Sequence, residues 1–109
     1  MEQHTLDIDT TIVVAADSIQ TRFVRFHRRN PVVYDSLVKL ARQAKARGRD
    51  KIGIGQLFEV LRWEWAMGGL PDTHEYHKLN NNYRSRYARL IMEREPDLEG
   101  IFAVRGLTA

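Results

Sequence analysis

The chain has 109 residues, the size of one domain with a single modest core. Hydrophobic residues make up 43% and charged residues 28%, as in ordinary soluble globular proteins, and the formal net charge is +3. The absence of cysteine excludes disulfides, cysteine-based zinc sites and thiol catalysis. No apolar run approaches the length of a membrane span, and the N-terminus lacks the order of a signal peptide. We therefore expect a cytoplasmic protein without a membrane partner.

The charges are unevenly distributed along the chain. Residues 1–18 contain four acidic residues and no lysine or arginine, whereas residues 22–51 contain ten basic and two acidic residues. Such a segment produces a strong local positive field, for which polyanions are the natural partners. A solubilising surface is the alternative explanation for the same run of charge.

The N-terminal part is predicted to be an arm followed by a helix. Residues 1–16 are expected to form a flexible arm, with a short strand over residues 10–15, and residues 17–109 a single domain. Asp17 or Ser18 provides an N-cap for a first helix that runs to about Arg29. Its predicted buried stripe consists of Ile19, Phe23 and Phe26. Another face carries Arg22, Arg25 and Arg29.

A second helix is predicted to begin at Asn30-Pro31 and to end near Arg47. The residue before a proline avoids the α region, whereas proline itself suits the first position of a helix. Gly48 is then expected to close this helix at its C-terminal end. The side chains predicted to face inward are Val33, Leu37, Leu40 and Ala44.

The middle of the chain is predicted to be a brief strand and a third helix. Residues 51–54 are too short and too β-branched for a helix, and Gly55 leads into a helix that ends near Met67. One face of this helix carries Leu57, Phe58, Leu61 and Trp65. The Gly-Gly-Leu-Pro-Asp sequence at residues 68–72 is the clearest break in the chain.

A fourth helix, from about Asn80 to Arg94, is the most informative element. At about 100° per residue, its sequence separates into two chemically opposed faces. The apolar face carries Leu79, Tyr83, Tyr87, Leu90 and Ile91. The polar face carries Lys78, Asn81, Asn82, Ser85 and Arg89. Pro96 stops the helix, and residues 100–105 have β-forming composition and are expected to pair with residues 52–54.

The polar face has the chemistry of a recognition helix. Amides and guanidinium groups pair in bidentate fashion with base edges in the major groove. One of the three consecutive asparagines is expected to cap the helix, which leaves Asn81 or Asn82 for base contact. Arg86 lies at the edge of this face, where it is expected to meet phosphate, and Arg89 lies on it a turn deeper.

Other candidate sites are weaker. Trp63 points away from the apolar face of the third helix, so it either forms a protein interface or packs beneath the N-terminal arm or first helix. His74 and His77 have a spacing that a metal site can use, but no third ligand is close in sequence, and loop residues near phosphate are the preferred interpretation. No sequence pattern indicates catalysis, and we expect no cofactor and no enzymatic activity.

Several short motifs together resemble small phage- and prophage-encoded winged helix-turn-helix proteins. These are Phe26, Asn30-Pro31, Leu61-Arg62-Trp63, residues 78–83, Tyr87-Ala-Arg89 and the closing motif at residues 99–105. The resemblance covers roughly residues 19–107. It implies a mainly α fold with a small β element, namely a winged helix-turn-helix with an added N-terminal helix and a reduced wing.

Two functions from different classes remain open at this point. The first is a module that binds double-stranded DNA as a homodimer, in phage or prophage transcription regulation. Helix 80–94 would read the major groove, and the basic residues of the first two helices would clamp phosphates. The alternative is a phage-encoded inhibitor or adaptor that binds a host protein or protein–nucleic acid complex through Trp63.

Overall fold

The computed structural model of the protein describes residues 19–70 and 75–103. Within this part the fold is mainly helical, as predicted. The described part of helix α1 covers residues 19–29; α2 comprises Pro31–Ala46, α3 Ile54–Ala66 and α4 Arg84–Arg94. Short 3-10 turns occupy Tyr76–Lys78, Asn81–Tyr83 and Pro96–Leu98. The predicted arm, the N-cap at residues 17–18, His74 and the last residues of the predicted C-terminal strand lie outside the described residues.

The helices bury their apolar faces in a common core. Tyr87 of α4 is fully buried, and its ring contacts Phe23 of α1 at 4.8 Å and Phe58 of α3 at 6.1 Å between centroids. Burial of a large side chain such as Phe58 stabilises the fold by about 1.5–3 kcal/mol. These aromatic contacts hold α1 against α4. The core therefore fixes the relative position of these two helices.

The predicted buried faces are largely confirmed. Helix α3 buries all four predicted residues, and α1 buries Phe23 and Phe26, while Ile19 is half-buried. Helix α2 differs, because Val38 and Ala41 join Val33 and Leu37 in its buried stripe. Leu40 and Ala44, predicted inside, are only half-buried. The reason is that α2 contacts both α3 and α4, which centres its buried sector between two neighbours.

Glycines end two of the helices. Gly48 has φ +91°, and the amides of Gly48 and Arg49 donate to the carbonyls of Lys45 and Ala44 at 2.9 and 3.0 Å. This is the Schellman pattern, in which a left-handed residue satisfies the last carbonyls of a helix. Gly68 (φ +77°) ends α3 in the same way. The predicted closing role of Gly48 is thus confirmed.

The predicted strand pair is reduced to one bridge. Ile52 and Phe102 form an isolated parallel bridge, and the Ile52 amide donates to the Ile101 carbonyl at 2.9 Å. Ile54, predicted to end a strand, is instead the first residue of α3. Among residues 19–70 and 75–103 no strand forms, so the predicted β element is not observed there.

The connection between α3 and α4 also differs from a simple helix-turn-helix. It runs from residue 67 to residue 83, whereas a helix-turn-helix joins its two helices by about three or four residues. A winged helix-turn-helix is therefore not confirmed, although the mainly helical class is. No helix of the described segments has the length and apolarity that crossing a membrane requires.

Candidate nucleic-acid interface

The arginines of α1 and the residues before α4 form one cleft. Arg22, Arg25 and Arg29 recur at helical spacing on the exposed side of α1. They line an open cleft of about 310 Å³. The other residues lining it are Phe26, Glu75, Lys78, Asn80 and Tyr83. Four cationic side chains therefore line one concave surface. A surface of this kind suits the binding of a phosphate group.

Aromatic packing forms the floor of this cleft and fixes its shape. The rings of Phe26 and Tyr83 lie 5.4 Å apart, and Phe23 stands 5.6 Å from Tyr83. Phe26 belongs to α1 and Tyr83 to the turn before α4, and both are buried. The contact holds the arginine face of α1 beside Lys78 and Asn80 without any charged group having to supply that cohesion.

Glu75 introduces one carboxylate into the cleft. Its side chain accepts a hydrogen bond from the Asn30 Nδ2 atom at 2.9 Å and pairs with Arg29 at 3.3 Å and Lys78 at 3.9 Å. The hydrogen bond from Asn30, with the nearby charges of Lys78 and Arg29, lowers the pKa of the Glu75 carboxyl. Glu75 is therefore ionised at neutral pH and neutralises part of the positive charge.

Asn30 has a role that the sequence did not reveal. Only 1% of the residue is exposed, and its side-chain amide also donates to the Phe26 carbonyl at 2.9 Å. The sequence identified Asn30 as a boundary between two helices, which is correct. The boundary position alone gives no sign that the amide also holds Glu75, a residue 45 positions away.

The three consecutive asparagines take three different roles. The Oδ1 atom of Asn80 accepts a hydrogen bond from the backbone amide of Asn82 at 2.8 Å and so caps the 3-10 turn that precedes α4. The Oδ1 atom of Asn81 accepts from Arg62 at 2.7 Å, which directs its carbonyl oxygen toward α3. Asn82 is exposed. The expected cap is confirmed, and Asn82 has the better position for contact with a ligand.

The helical part of this region is shorter than predicted. The α-helix begins at Arg84, after the 3-10 turn, and not at Asn80. The residues between the Asn80 cap and Arg84 form a 3-10 turn, which is frequent at the N-terminus of an α-helix. Leu79, Tyr83, Tyr87 and Ile91 are buried as predicted, but Leu90 is only half-buried.

Arg86 connects α4 to the start of α1. Its Nε atom donates to Gln20 Oε1 at 2.8 Å, and its guanidinium also donates to the Asn82 carbonyl at 3.3 Å. Arg86 consequently lies beside Gln20, which lines a different groove of α1, with Val24 and Arg28, and not the arginine cleft. Ser85 is half-buried and Arg89 is exposed further along α4. We use the name basic face for the candidate DNA-contact residues of both regions together, namely Arg22, Arg25, Arg29, Lys78, Asn82, Arg86 and Arg89.

Two basic residues of α2, Arg42 and Lys45, contact the turn after α4. Arg42 donates to Glu95 at 2.7 Å and to both carboxylate oxygens of Asp97, and the Lys45 ammonium donates to the Asp97 carbonyl. The hydrogen bond from Arg42 lowers the pKa of the Asp97 carboxyl. These contacts tie α2 to the turn after α4. The expected phosphate clamp from both helices therefore has its best geometric support in α1.

Trp63 is exposed, as its helical position predicted. It is 63% accessible and lies on α3 in line with Val60 at 39% and Met67 at 60%. These three residues form what we call the α3 apolar stripe. On helical spacing, exposed Glu59 and Glu64 fall on its two sides. Burial beneath α1, one of the two alternatives for Trp63, does not occur, and the N-terminal arm of the other alternative lies outside the described residues. Whether the stripe binds a partner remains a prediction.

The histidine pair gains no support as a metal site. His77 is exposed, and its predicted companion at position 74 lies outside the described residues. Within the described segments, no three histidine, aspartate or glutamate side chains come close enough together to hold a metal ion.

Comparison of the chain with protein-family models, with curated proteins and with solved structures finds no match. The chemistry of the basic face and of the α3 apolar stripe is thus the basis on which a function has to be inferred.

Proposed function

We propose that this protein binds double-stranded DNA through the basic face. The observation that carries the proposal is the shared cleft, in which three arginines of α1 converge with Lys78 immediately before the asparagine-rich start of α4. Separate basic patches on opposite sides of the molecule would have favoured mere solubility. A single concave basic surface beside exposed amide and guanidinium groups fits a polyanion that also carries base edges.

Affinity in this proposal comes mainly from phosphate contacts. Arginine binds phosphate oxygens through two parallel hydrogen bonds, and each neutralised phosphate releases condensed counterions from the duplex. Arg22 and Arg25 would engage one strand along the cleft, beside Lys78 and Arg29, whose charges Glu75 partly neutralises. Arg86 would meet phosphate from α4. Such contacts fix the position of the protein on the duplex without reading its sequence.

Sequence reading is assigned to the exposed polar side of α4. Asn82 would pair with adenine and Arg89 with guanine, the pairings that their donor and acceptor geometry favours in the major groove. Ser85 lies between them in sequence, and Asn81 contributes through its amide nitrogen while its oxygen is bound to Arg62. The use we propose for such a module is phage or prophage transcription regulation, with two copies bound to two half-sites, as the sequence resemblance implies.

A pair of charge-matched variants tests the proposal. Replacing Arg22, Arg25 and Arg29 with glutamine removes three charges from the basic face. Replacing Lys39, Arg47 and Arg49 removes three charges from exposed positions on and after α2. The first variant should bind all duplexes more weakly and show a shallower salt dependence, by about 0.9 units for each phosphate that is no longer neutralised. The second should keep most of the wild-type slope. Equal slopes in the two variants would remove α1 from the interface.

A second candidate function is supported by the α3 apolar stripe. Three exposed apolar side chains in line on one helix form a surface of the kind that protein partners cover. On helical geometry, Glu59 and Glu64 flank the stripe, and Arg62, on the far side of α3, extends its guanidinium to Glu59 and pairs with it. Glu64 therefore leaves one negative charge beside the stripe. This charge favours a different protein, with an apolar centre and a basic rim, over a second copy of the same stripe.

A further inference from the structure

The Glu75 carboxylate occupies one end of the arginine cleft. It lies 3.3 Å from Arg29 and 3.9 Å from Lys78, while Arg22 and Arg25 line the cleft along the preceding turns of α1. The carboxylate is thus placed where an oxygen of a bound phosphate would contact the same two cations. Its own side chain is 20% exposed, whereas that of Arg29 is 59% exposed.

The position of Glu75 is set by a neutral and buried group. Asn30 donates a hydrogen bond to it at 2.9 Å from a site that is 1% exposed. The amide is oriented in turn by its bond to the Phe26 carbonyl, at the end of α1. Because the donor is neutral and anchored in the fold, the carboxylate is held at the cleft independently of the two cations that it neutralises.

We propose that the Glu75 carboxylate occupies this cleft in the free protein, competes there with external phosphate, and so sets the affinity of the cleft for phosphate. Arg29 and Lys78 are already paired with Glu75 in the free protein, so an incoming phosphate gains little from them. Arg25 lines the same cleft one turn before the arginine that Glu75 holds. It accordingly contributes more to phosphate binding than Arg29 does. The part of this inference that concerns DNA rests on the proposed function. The part that concerns the binding of inorganic phosphate does not depend on the proposed function.

A purely structural role for Glu75 leads to a different outcome. If the carboxylate only joins residues 75–78 to the junction of α1 and α2, removing its charge changes stability and leaves anion binding unaltered. If it competes with phosphate, removing its charge strengthens anion binding. Glu75→Gln separates the two, because the glutamine Oε1 atom still accepts the hydrogen bond from Asn30. Glu99→Gln is the matched control, since it removes one exposed carboxylate that does not line the cleft.

The first measurement uses inorganic phosphate and does not depend on DNA. Wild type, Glu75→Gln and Glu99→Gln are melted in phosphate and in chloride at equal pH and ionic strength. A ligand that binds only the folded state raises the melting temperature. We expect the upward shift in phosphate to be larger for Glu75→Gln than for the other two proteins. Equal shifts in all three would overturn the proposal.

The second measurement uses a duplex of fixed sequence. Loss of one exposed pairing changes an affinity by about two- to fivefold, so Glu75→Gln should bind that much more tightly than wild type. Its salt dependence should be steeper by up to about one unit, because Arg29 becomes available for one more phosphate. Adding Arg29→Gln should abolish this gain. Persistence of the gain in the double variant would contradict the assignment to Arg29.

Single arginine variants provide a test that leaves Glu75 unchanged. In the wild-type background, Arg25→Gln should reduce duplex affinity more than Arg29→Gln does. Equal losses at the two positions would overturn the inference, even if Glu75→Gln failed to fold. If wild type showed no salt-dependent duplex binding, the proposed function would fail, and the phosphate melting experiment would still decide the role of Glu75.

Discussion

Asn82 and Arg89 are the residues that the proposal assigns to base reading. Both are exposed, Asn82 in the 3-10 turn that precedes α4 and Arg89 on α4 itself, where Tyr87 and Ile91 are buried. We predict that Asn82→Ala or Arg89→Ala lowers specific duplex affinity by about 1–3 kcal/mol and leaves the melting temperature close to that of wild type. Gln43→Ala, on the exposed side of α2, is the control. Titration with a selected duplex checks the prediction, and unchanged affinity in both variants would remove α4 from the reading of bases.

His27 makes the stability of the fold depend on pH. Its ring stacks on Phe23 and stands edge-on to Tyr87, and its pKa is lowered from 6.5 first by burial and then by the charge of Arg94, against an opposing effect of Asp35. The unfolded chain therefore binds a proton at a pH where the folded chain does not. The contribution of neutral His27 to the free energy of unfolding is complete above about pH 6.5. It is lost as the pH falls from there toward the lowered pKa of His27 in the folded state.

The corresponding measurement is urea unfolding between pH 7.5 and pH 5. We expect the free energy of unfolding to decrease more steeply in wild type than in His27→Gln over this interval. Parallel pH profiles for the two proteins would show that the folded state does not perturb His27.

The sequence predicted individual residues best where local geometry decides their role. The asparagine cap, the positive φ of Gly48 and the exposure of Trp63 all follow from position within one helix or at its end. The cleft shows the limit of this reasoning, because Glu75 meets Asn30 only after the chain has folded back over 45 positions. A pattern read along the sequence contains no information on such a pair.

At the level of elements, the rotation of α4 about its axis decides which of its side chains are buried in the core. Ile91 is fully buried, whereas neighbouring Leu90 is half-buried. Ile91→Ala should therefore destabilise the protein by about 2–5 kcal/mol, and Leu90→Ala by clearly less. Denaturant unfolding of the two variants tests this difference. Equal losses would mean that α4 is rotated relative to its described position.

Helices could be predicted more reliably than the segments that join them. The apolar repeats of α2 and α3, together with proline and glycine at their boundaries, fix these elements locally. The stretch around residues 52–54 has β-forming side chains, but within the described residues Ile52 forms a single bridge, with Phe102, and Ile54 enters α3. Strand formation depends on such distant partners, so composition alone overestimated it.

For the whole molecule, the α3 apolar stripe separates the two candidate functions. Trp63→Ala should leave the melting temperature nearly unchanged, because the indole is 63% exposed, and should weaken the binding of any partner that covers it. Trp65→Ala is the contrasting variant, since Trp65 is 8% exposed and its truncation should cost about 3–5 kcal/mol.

Sedimentation of the Trp63 variant distinguishes the kinds of partner. Loss of self-association would identify a second copy of this chain on the stripe, against the charge argument. Retained assembly and unchanged partner binding would show that the stripe is an ordinary exposed surface. A large fall in melting temperature would mean that the indole is packed inside.

Amide chemical-shift mapping tests most directly whether duplex DNA contacts the basic face. Labelled protein is titrated with a duplex at low salt while the backbone amide resonances are followed. We predict that the largest shifts fall in residues 22–29 and 78–89, with small changes along the exposed side of α3. Shifts concentrated on Val60, Trp63 and Met67, or shifts absent from both segments of the basic face, would contradict the proposal.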